Sequence, residues 1–207
     1  MTSHSPSASS STATPGVCIA ATASGSGKTT IATGLIAALA SRMKVAPFKV
    51  GPDYIDPGYH SIASGCVGRN LDSVLCGNDL IGPLYHYGSQ HADIAVVEGV
   101  MGLFDGRISD GAGSTADIAA ALGVPILLIV DVRGMSQSVG AVVRGFATTR
   151  SDVRIAGVIL NKVGSDRHAA VCREAVEAEG IPVVGSIPRQ HDIEVPSRHL
   201  GLVTAVE

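Results

Sequence analysis

The sequence predicts an α/β fold built on a doubly wound, mostly parallel sheet. Three observations carry that reading. Six short apolar runs alternate with stretches of helical periodicity, the pattern of parallel strands joined by crossover helices. The packing residues are Ala, Val, Ile, Leu and Gly, with aromatics only 3% of the chain, which suits a sheet covered on both faces. The polar and acidic residues stand where strands should end, and in open α/β sheets ligands bind at those carboxyl ends. The 207 residues suit one domain with a sizeable core.

Residues 1–15 are rich in Ser, Thr and Ala and lack the basic and apolar regions of a secretory signal, so a disordered leader is expected. Val17–Ala21 is the first strand candidate. Ser24-Gly25-Ser26-Gly27-Lys28-Thr29-Thr30 follows it and opens a helical stretch, Lys28–Arg42, in which Ile31, Leu35 and Leu39 recur on one face. Strand, glycine-rich loop, Gly-Lys-Thr and helix make a P-loop. Small residues let backbone N–H groups turn in on a polyphosphate, and the helix N-terminus adds favourable dipole charge. Lys28 is expected to reach the outer phosphates and Thr29 Oγ to ligate the accompanying Mg²⁺. Thr22 stands where the common pattern has its first Gly, and Ala23 where one ATPase subgroup has a second lysine. Both departures disfavour ordinary GTPases and the signature-lysine ATPases.

The second strand, Val45–Val50, runs into Gly51-Pro52-Asp53-Tyr54-Ile55-Asp56-Pro57, a rigid corner rich in polar groups. Lys49 is a candidate to offset phosphate charge, Asp53 a candidate Mg²⁺ ligand, and Asp56 reads as the cap of a following helix. A helix over Asn78–Gln90 precedes the third strand, Ile94–Val97, which ends at Glu98. P-loop enzymes place such a carboxylate near the metal, directly or through water. Gly99–Gly106 is a glycine-rich loop expected to be flexible and to present Asp105 to a substrate. Thr115–Leu122, Ser136–Thr149 and Arg167–Glu179 are the remaining helices; Ile126–Val130, Ile155–Leu160 and Val183–Ile187 the remaining strands. Asp131 follows the fourth strand, and Asn161 and Lys162 the fifth.

Other chemistries find little support. Net charge is −3, with neither a basic stripe nor an aromatic series, which argues against nucleic acid as a partner. The longest apolar run, Val124–Val130, has the length of a buried strand and not of a membrane span. Cys18, Cys66, Cys76 and Cys172 show no metal-ligand spacing and are expected to be reduced, buried packing residues of a cytoplasmic protein. His60, His86, His91 and His168 have unrelated spacings and form no site by sequence.

Together, Ser24–Thr30, Pro47–Asp56, Arg69-Asn70-Leu71-Asp72, Val97–Gly106, Ala156–Asn161 and Val184–Arg189 resemble the N-terminal domain of the cobyrinic or hydrogenobyrinic acid a,c-diamide synthases, the CobB/CbiA family. The similarity runs from Val17 to about Arg198. It implies a P-loop NTPase-like, dethiobiotin synthetase-like domain over 16–198, with 199–207 as the start of a linker. The implied activity is ATP-dependent amidation of the a and c carboxylates of a corrin precursor through acyl phosphates, in cobalamin biosynthesis. The resemblance further implies ATP and Mg²⁺ as cofactors. Lys28, Asp53, Glu98 and Asp105 would then be catalytic, and Thr29, Asp53 and Glu98 would hold Mg²⁺. Asn161, Pro188 and Arg189 look like adenine-facing elements of dethiobiotin synthetase relatives. Asn161-Lys162 also opens like a guanine motif, but Gly164 replaces its aspartate, so ATP is preferred.

Family members carry a C-terminal glutaminase domain. This chain ends at Glu207, so ammonia is expected from another domain or protein. A homodimer is a further expectation from related folds. The alternatives are a dethiobiotin synthetase-like cyclo-ligase and a nucleotide-switch ATPase. The Gly-Pro-Asp-Tyr and Glu-Gly-Val-Met-Gly-Leu-Phe-Asp segments speak against the first; the missing second lysine and the Asp105 loop speak against the second.

Overall fold

The computed structural model describes residues 14–189. Seven strands form one sheet in the order β3-β2-β4-β1-β5-β6-β7. They are β1 (Gly16–Ala21), β2 (Val45–Val50), β3 (Arg69–Leu71), β4 (Ile94–Glu98), β5 (Ile126–Asp131), β6 (Ile155–Val163) and β7 (Val183–Pro188), and every pairing is parallel. The helices are α1 (Lys28–Ala40), α2 (Asp56–Ser64), α3 (Ser73–Cys76), α4 (Ile81–Ser89), α5 (Thr115–Leu122), α6 (Ser138–Thr148) and α7 (Asp166–Glu177), with a 3₁₀ turn at Asn78–Leu80.

Strand alternation sorts the core into two layers. Along β1, Cys18 and Ala20 pack on one face, Ile19 and Ala21 on the other. The second face is covered by Ala32 and Ile36 of α1 and also holds Val45 and Val96. Two-residue periodicity therefore turns Lys49 and Glu98 to that same side, and the two are register partners across β2 and β4. The opposite face carries Phe48 stacked on Tyr85, ring centroids 5.2 Å apart.

All six expected strands are present. The short edge strand β3 and helix α3 have too few residues to show a period. The helix expected over Asn78–Gln90 is broken at its start, because Pro83 has no N–H to continue the ladder and sits instead in the first turn of α4. β6 does not end at Leu160: it passes Asn161 through Lys162, whose φ of 60° shifts the register, and ends at Val163. Of the expected leader only Thr14 and Pro15 lie within the described residues. Tyr85 Oη donates to Thr14 O, and Ala95 N to Pro15 O. The expected linker, 199–207, lies outside them. Among the described residues no helix is long and apolar enough to cross a membrane.

The cysteines divide two and two, so the expectation that all four are buried is corrected. Cys18 and Cys172 are buried, whereas Cys66 and Cys76 are exposed, and all four are free. Burial pushes the Cys18 thiol up to about 12, which removes its thiolate at ordinary pH. Iodoacetamide at mildly alkaline pH should label Cys66 and Cys76 in the native protein, and Cys18 and Cys172 only after denaturation. Peptide mass mapping checks this; native labelling of Cys18 would contradict the packing of β1.

Candidate phosphate-binding site

The loop after β1 is shaped by two glycines in left-handed conformation, Gly25 (φ 73°) and Gly27 (φ 91°). At Gly27 a side chain is also excluded by space, since a Cβ would stand 2.5 Å from Asn161 Nδ2. α1 begins at the next residue, Lys28. The loop is braced from β6: Asn161 Nδ2 donates to Ser26 O at 2.8 Å and Lys162 Nζ to Gly25 O at 3.1 Å. Lys162 is itself held by Asp131 at 3.0 Å. Ser26 Oγ closes the turn on Ala23 O at 2.8 Å. The fold thus sets Ser24–Thr30 as a preformed cradle at the carboxyl ends of β1 and β6.

Lys28, almost wholly buried, donates to Met101 O and, at 3.4 Å, to Ala23 O. Its pKa is lowered to about 8: burial and then Lys49 push it down, and Glu98, Asp105 and Asp56 oppose the shift.

Beneath the cradle lies a buried cluster. Glu98, at the end of β4, is 0% exposed. Its Oε1 accepts from Thr29 Oγ1 at 2.7 Å and from Lys49 Nζ at 3.0 Å. Lys49 Nζ also lies 2.9 Å from Asp56 Oδ2 and donates to Gly99 O at 2.9 Å. Thr29 Oγ1 lies within 3.3 Å of Asp56 Oδ2 as well. On the other side, His60 Nε2 stands 2.7 Å from Glu98 Oε2, off the hydrogen-bond axis, as a close electrostatic contact. Burial alone would raise the Glu98 pKa; His60, Lys49 and Thr29 outweigh it and hold the carboxyl below its ordinary value. Burial likewise works against charged Lys49, and Glu98 and Asp56 more than offset it, so Lys49 titrates above its ordinary range.

The two aspartates of the Gly-Pro-Asp-Tyr-Ile-Asp corner turn to different partners. Asp53 Oδ1 accepts the backbone N–H of Ile55 and of Asp56, at 2.8 and 2.9 Å, and so shapes the entry to α2. Asp56, expected as a cap, is the first residue of α2 and is the one that reaches Thr29 and Lys49. The reason is geometric: a residue before the helix has its carboxylate beside the free N–H groups, whereas the first helical residue points along the helix side. Lys49, expected to face phosphate, is committed to two carboxylates and a carbonyl.

Asp105 is exposed and accepts from Gly102 N at 2.9 Å, clasping its own turn. The base of that loop is held rather than free. Val100 N donates to Thr115 Oγ1 at 2.9 Å, Leu103 N to Ala21 O at 2.9 Å and Ala116 N to Leu103 O at 2.9 Å. Asn161 spends its amide on Ser26 O and its carbonyl on Lys162 N. Pro188 and Arg189 are exposed at the end of β7, where Arg189 N donates to Val163 O. In the Arg69–Asp72 segment, Asn70 Nδ2 donates to Asp53 O and Asp72 caps α3. His60 was missed by sequence. Its signal is the spacing Asp56-x-x-x-His60, which puts both side chains on one face of α2.

Among the described residues no group of three or more His, Cys, Asp or Glu side chains could hold a metal ion. The hard oxygen donors of Thr29, Asp56 and Glu98 nevertheless fit Mg²⁺, which at polyphosphate sites takes one or two carboxylates and completes its shell with phosphate and water.

Residues 17–203 match the family described as CobQ/CobB/MinD/ParA nucleotide binding domain. The chain is 61% identical over 197 residues to hydrogenobyrinate a,c-diamide synthase of Mycobacterium tuberculosis, covering 92% of this chain and 43% of that protein. It is 57% identical over 203 residues to the enzyme of the same name from Streptomyces coelicolor, covering 97% and 42%. The chain therefore spans less than half the length of these relatives. Among solved structures, chloroplast FtsY of Physcomitrella patens superposes with a TM-score of 0.57 at 14% identity, covering 83% of this chain and 58% of FtsY. The septum site-determining protein MinD of Pyrococcus horikoshii, complexed with Mg-ADP, gives 0.53 at 15% identity, covering 85% and 82%. These two establish the fold.

The lowered pKa of Lys28 has a sign that can be tested. A bound polyphosphate favours the ammonium, so affinity is full where Lys28 is protonated in the free protein and falls as pH rises through about 8. Titration calorimetry with ATP in EDTA, from about pH 7 to about pH 10, should show weakening affinity and proton uptake near the upper end. Affinity independent of pH over that range would contradict the burial of Lys28.

Proposed function

Because this chain belongs to the CobQ/CobB/MinD/ParA nucleotide-binding domain family, we propose that it is the ATP-dependent amidating part of a hydrogenobyrinate or cobyrinate a,c-diamide synthase. The observation that carries the proposal is the P-loop Thr29 joined at 2.7 Å to Glu98, itself paired with Lys49, in a chain 61% identical to an enzyme of that name.

The chemistry explains why such a cluster is useful. A carboxylate is a poor electrophile, since attack must add charge to an anion. Transfer of the γ-phosphoryl group of ATP to a substrate carboxylate oxygen gives an acyl phosphate and ADP. Ammonia then attacks the acyl carbon, phosphate leaves, and the amide remains. The protein's part is positioning and charge stabilisation. The Ser24–Thr30 backbone cradles the phosphates, and Lys28 leaves Met101 O to meet their charge. Thr29, Asp56 and Glu98 would hold Mg²⁺ directly or through water, and its chemistry there would be to neutralise phosphate charge. Lys49 is kept cationic between Glu98 and Asp56. Asp105 sits on the substrate side, and Asn161, Pro188 and Arg189 line the side toward adenine. The corrin substrate, the use of ATP and a homodimeric assembly belong to this proposal, as does delivery of ammonia by the part of the relatives that this chain does not span.

Incubating the protein with hydrogenobyrinic or cobyrinic acid, ATP–Mg²⁺ and ammonium should give mono- and diamide products by mass spectrometry. Lys28→Ala and Glu98→Gln should each lower turnover by about 10²–10³-fold, the loss typical of removing a charge-stabilising group from a reacting centre. Unchanged turnover in Lys28→Ala, or no amide with either acid under conditions where ATP binds, would overturn the proposal.

A further inference from the structure

His60 stands behind Glu98 and has no part in the scheme above. It lies on α2 one turn after Asp56, so both side chains leave the helix toward β2 and β4. The ring is 0% exposed, and among the described residues neither of its nitrogens has a hydrogen-bond partner; Nε2 makes only the close contact with Glu98. Burying an imidazole with an unpaired nitrogen is unfavourable, and an apolar side chain of similar volume would fill the space without that cost. Packing therefore does not account for a histidine here.

What the ring does touch is Glu98. The carboxylate divides its oxygens: Oε1 takes Thr29 and Lys49, while Oε2 has His60 at 2.7 Å. The last torsion of a glutamate is broad and soft. With Oε2 unopposed, the carboxylate could turn and offer both oxygens to Lys49, which already bridges it to Asp56. His60 Nε2 faces a group that only accepts, so the hydrogen belongs on Nε2, and the contact acts electrostatically because it lies off the hydrogen-bond axis.

We propose that His60 is a positioning residue: it holds Glu98 Oε2, so that Oε1 stays directed at Thr29, where the divalent cation of the bound nucleotide is received. The proposal rests on the metal reading of Thr29, Asp56 and Glu98 given above. Side chains behind a metal ligand commonly control affinity in this way, and their loss costs about 10–100-fold.

The test uses Mn²⁺ as the probe, read by electron paramagnetic resonance of the full chain with a non-hydrolysable ATP analogue. His60→Leu, which fills the space without a donor, should weaken Mn²⁺ binding about 10–100-fold and leave metal-free nucleotide affinity unchanged. His60→Gln, which keeps a donor near Nε2, should restore most of the affinity. Thermal melting of each variant shows that it is folded. Wild-type Mn²⁺ affinity in a folded His60→Leu protein would overturn the proposal. So would a His60→Gln protein that is folded but as weak as His60→Leu. Wild-type protein that binds nucleotide but no Mn²⁺ would overturn the metal reading and this inference with it, while leaving the ammonium-dependent amidation assay to judge the reaction on its own.

Discussion

Lys49 and Glu98 face each other across β2 and β4, buried on the side of the sheet that α1 and α2 cover, and the site is organised around that pair. An ion pair so placed gives up its hydration, and it is tolerated only when the remaining donors and acceptors are also met. Thr29, Asp56 and Gly99 O meet most of them, and His60 stands against Glu98 Oε2 as a close electrostatic contact. Each comes from a different piece of chain: the start of α1, two turns of α2 and the loop after β4. The need to satisfy one buried carboxylate and one buried ammonium therefore fixes the P-loop helix, the corner after β2 and the loop after β4 relative to one another. Removing Lys49 alone would leave Glu98 and Asp56 buried without the cation they share, which is costlier than removing a charge pair together.

The P-loop is gripped from two sides. From β6, Asn161 and Lys162 hold the carbonyls of Ser26 and Gly25, which leaves the loop's N–H groups to turn the other way, toward an anion. From the β4 side, Lys28 reaches Met101 O in the loop that carries Asp105. The cradle and the Asp105 loop therefore share a hydrogen bond through Lys28. Met101 itself has a φ of 48°, uncommon for a side chain without local hydrogen bonding, which fits a turn held by its surroundings.

Much of this was legible in the residues. Short apolar runs located six strands, and Gly-Ser-Gly-Lys-Thr between a strand and a helix located the cradle. Glu98 was legible because an acid at the end of a buried strand has few structural reasons to be there. Other parts were not. Asp53 and Asp56 are three residues apart in one turn, and spacing cannot say which carboxylate turns to the backbone and which to the sheet; that depended on where α2 begins. His60 looked like any helical histidine until α2 was laid against β4. For Asn161, expected to face adenine, the chain could not show that its amide braces Ser26 O, 135 positions away.

The sequence by itself determined the sheet, its parallel order of strand and helix, and the phosphate cradle, because these follow from local periodicity and from backbone freedom at Gly25 and Gly27. The tertiary structure alone decided which polar side chains share a charge. Lys49, Asp56, His60 and Glu98 come together only when β2 pairs with β4 and α2 packs above them, and buried charge is settled by neighbours in space, which spacing along the chain does not record.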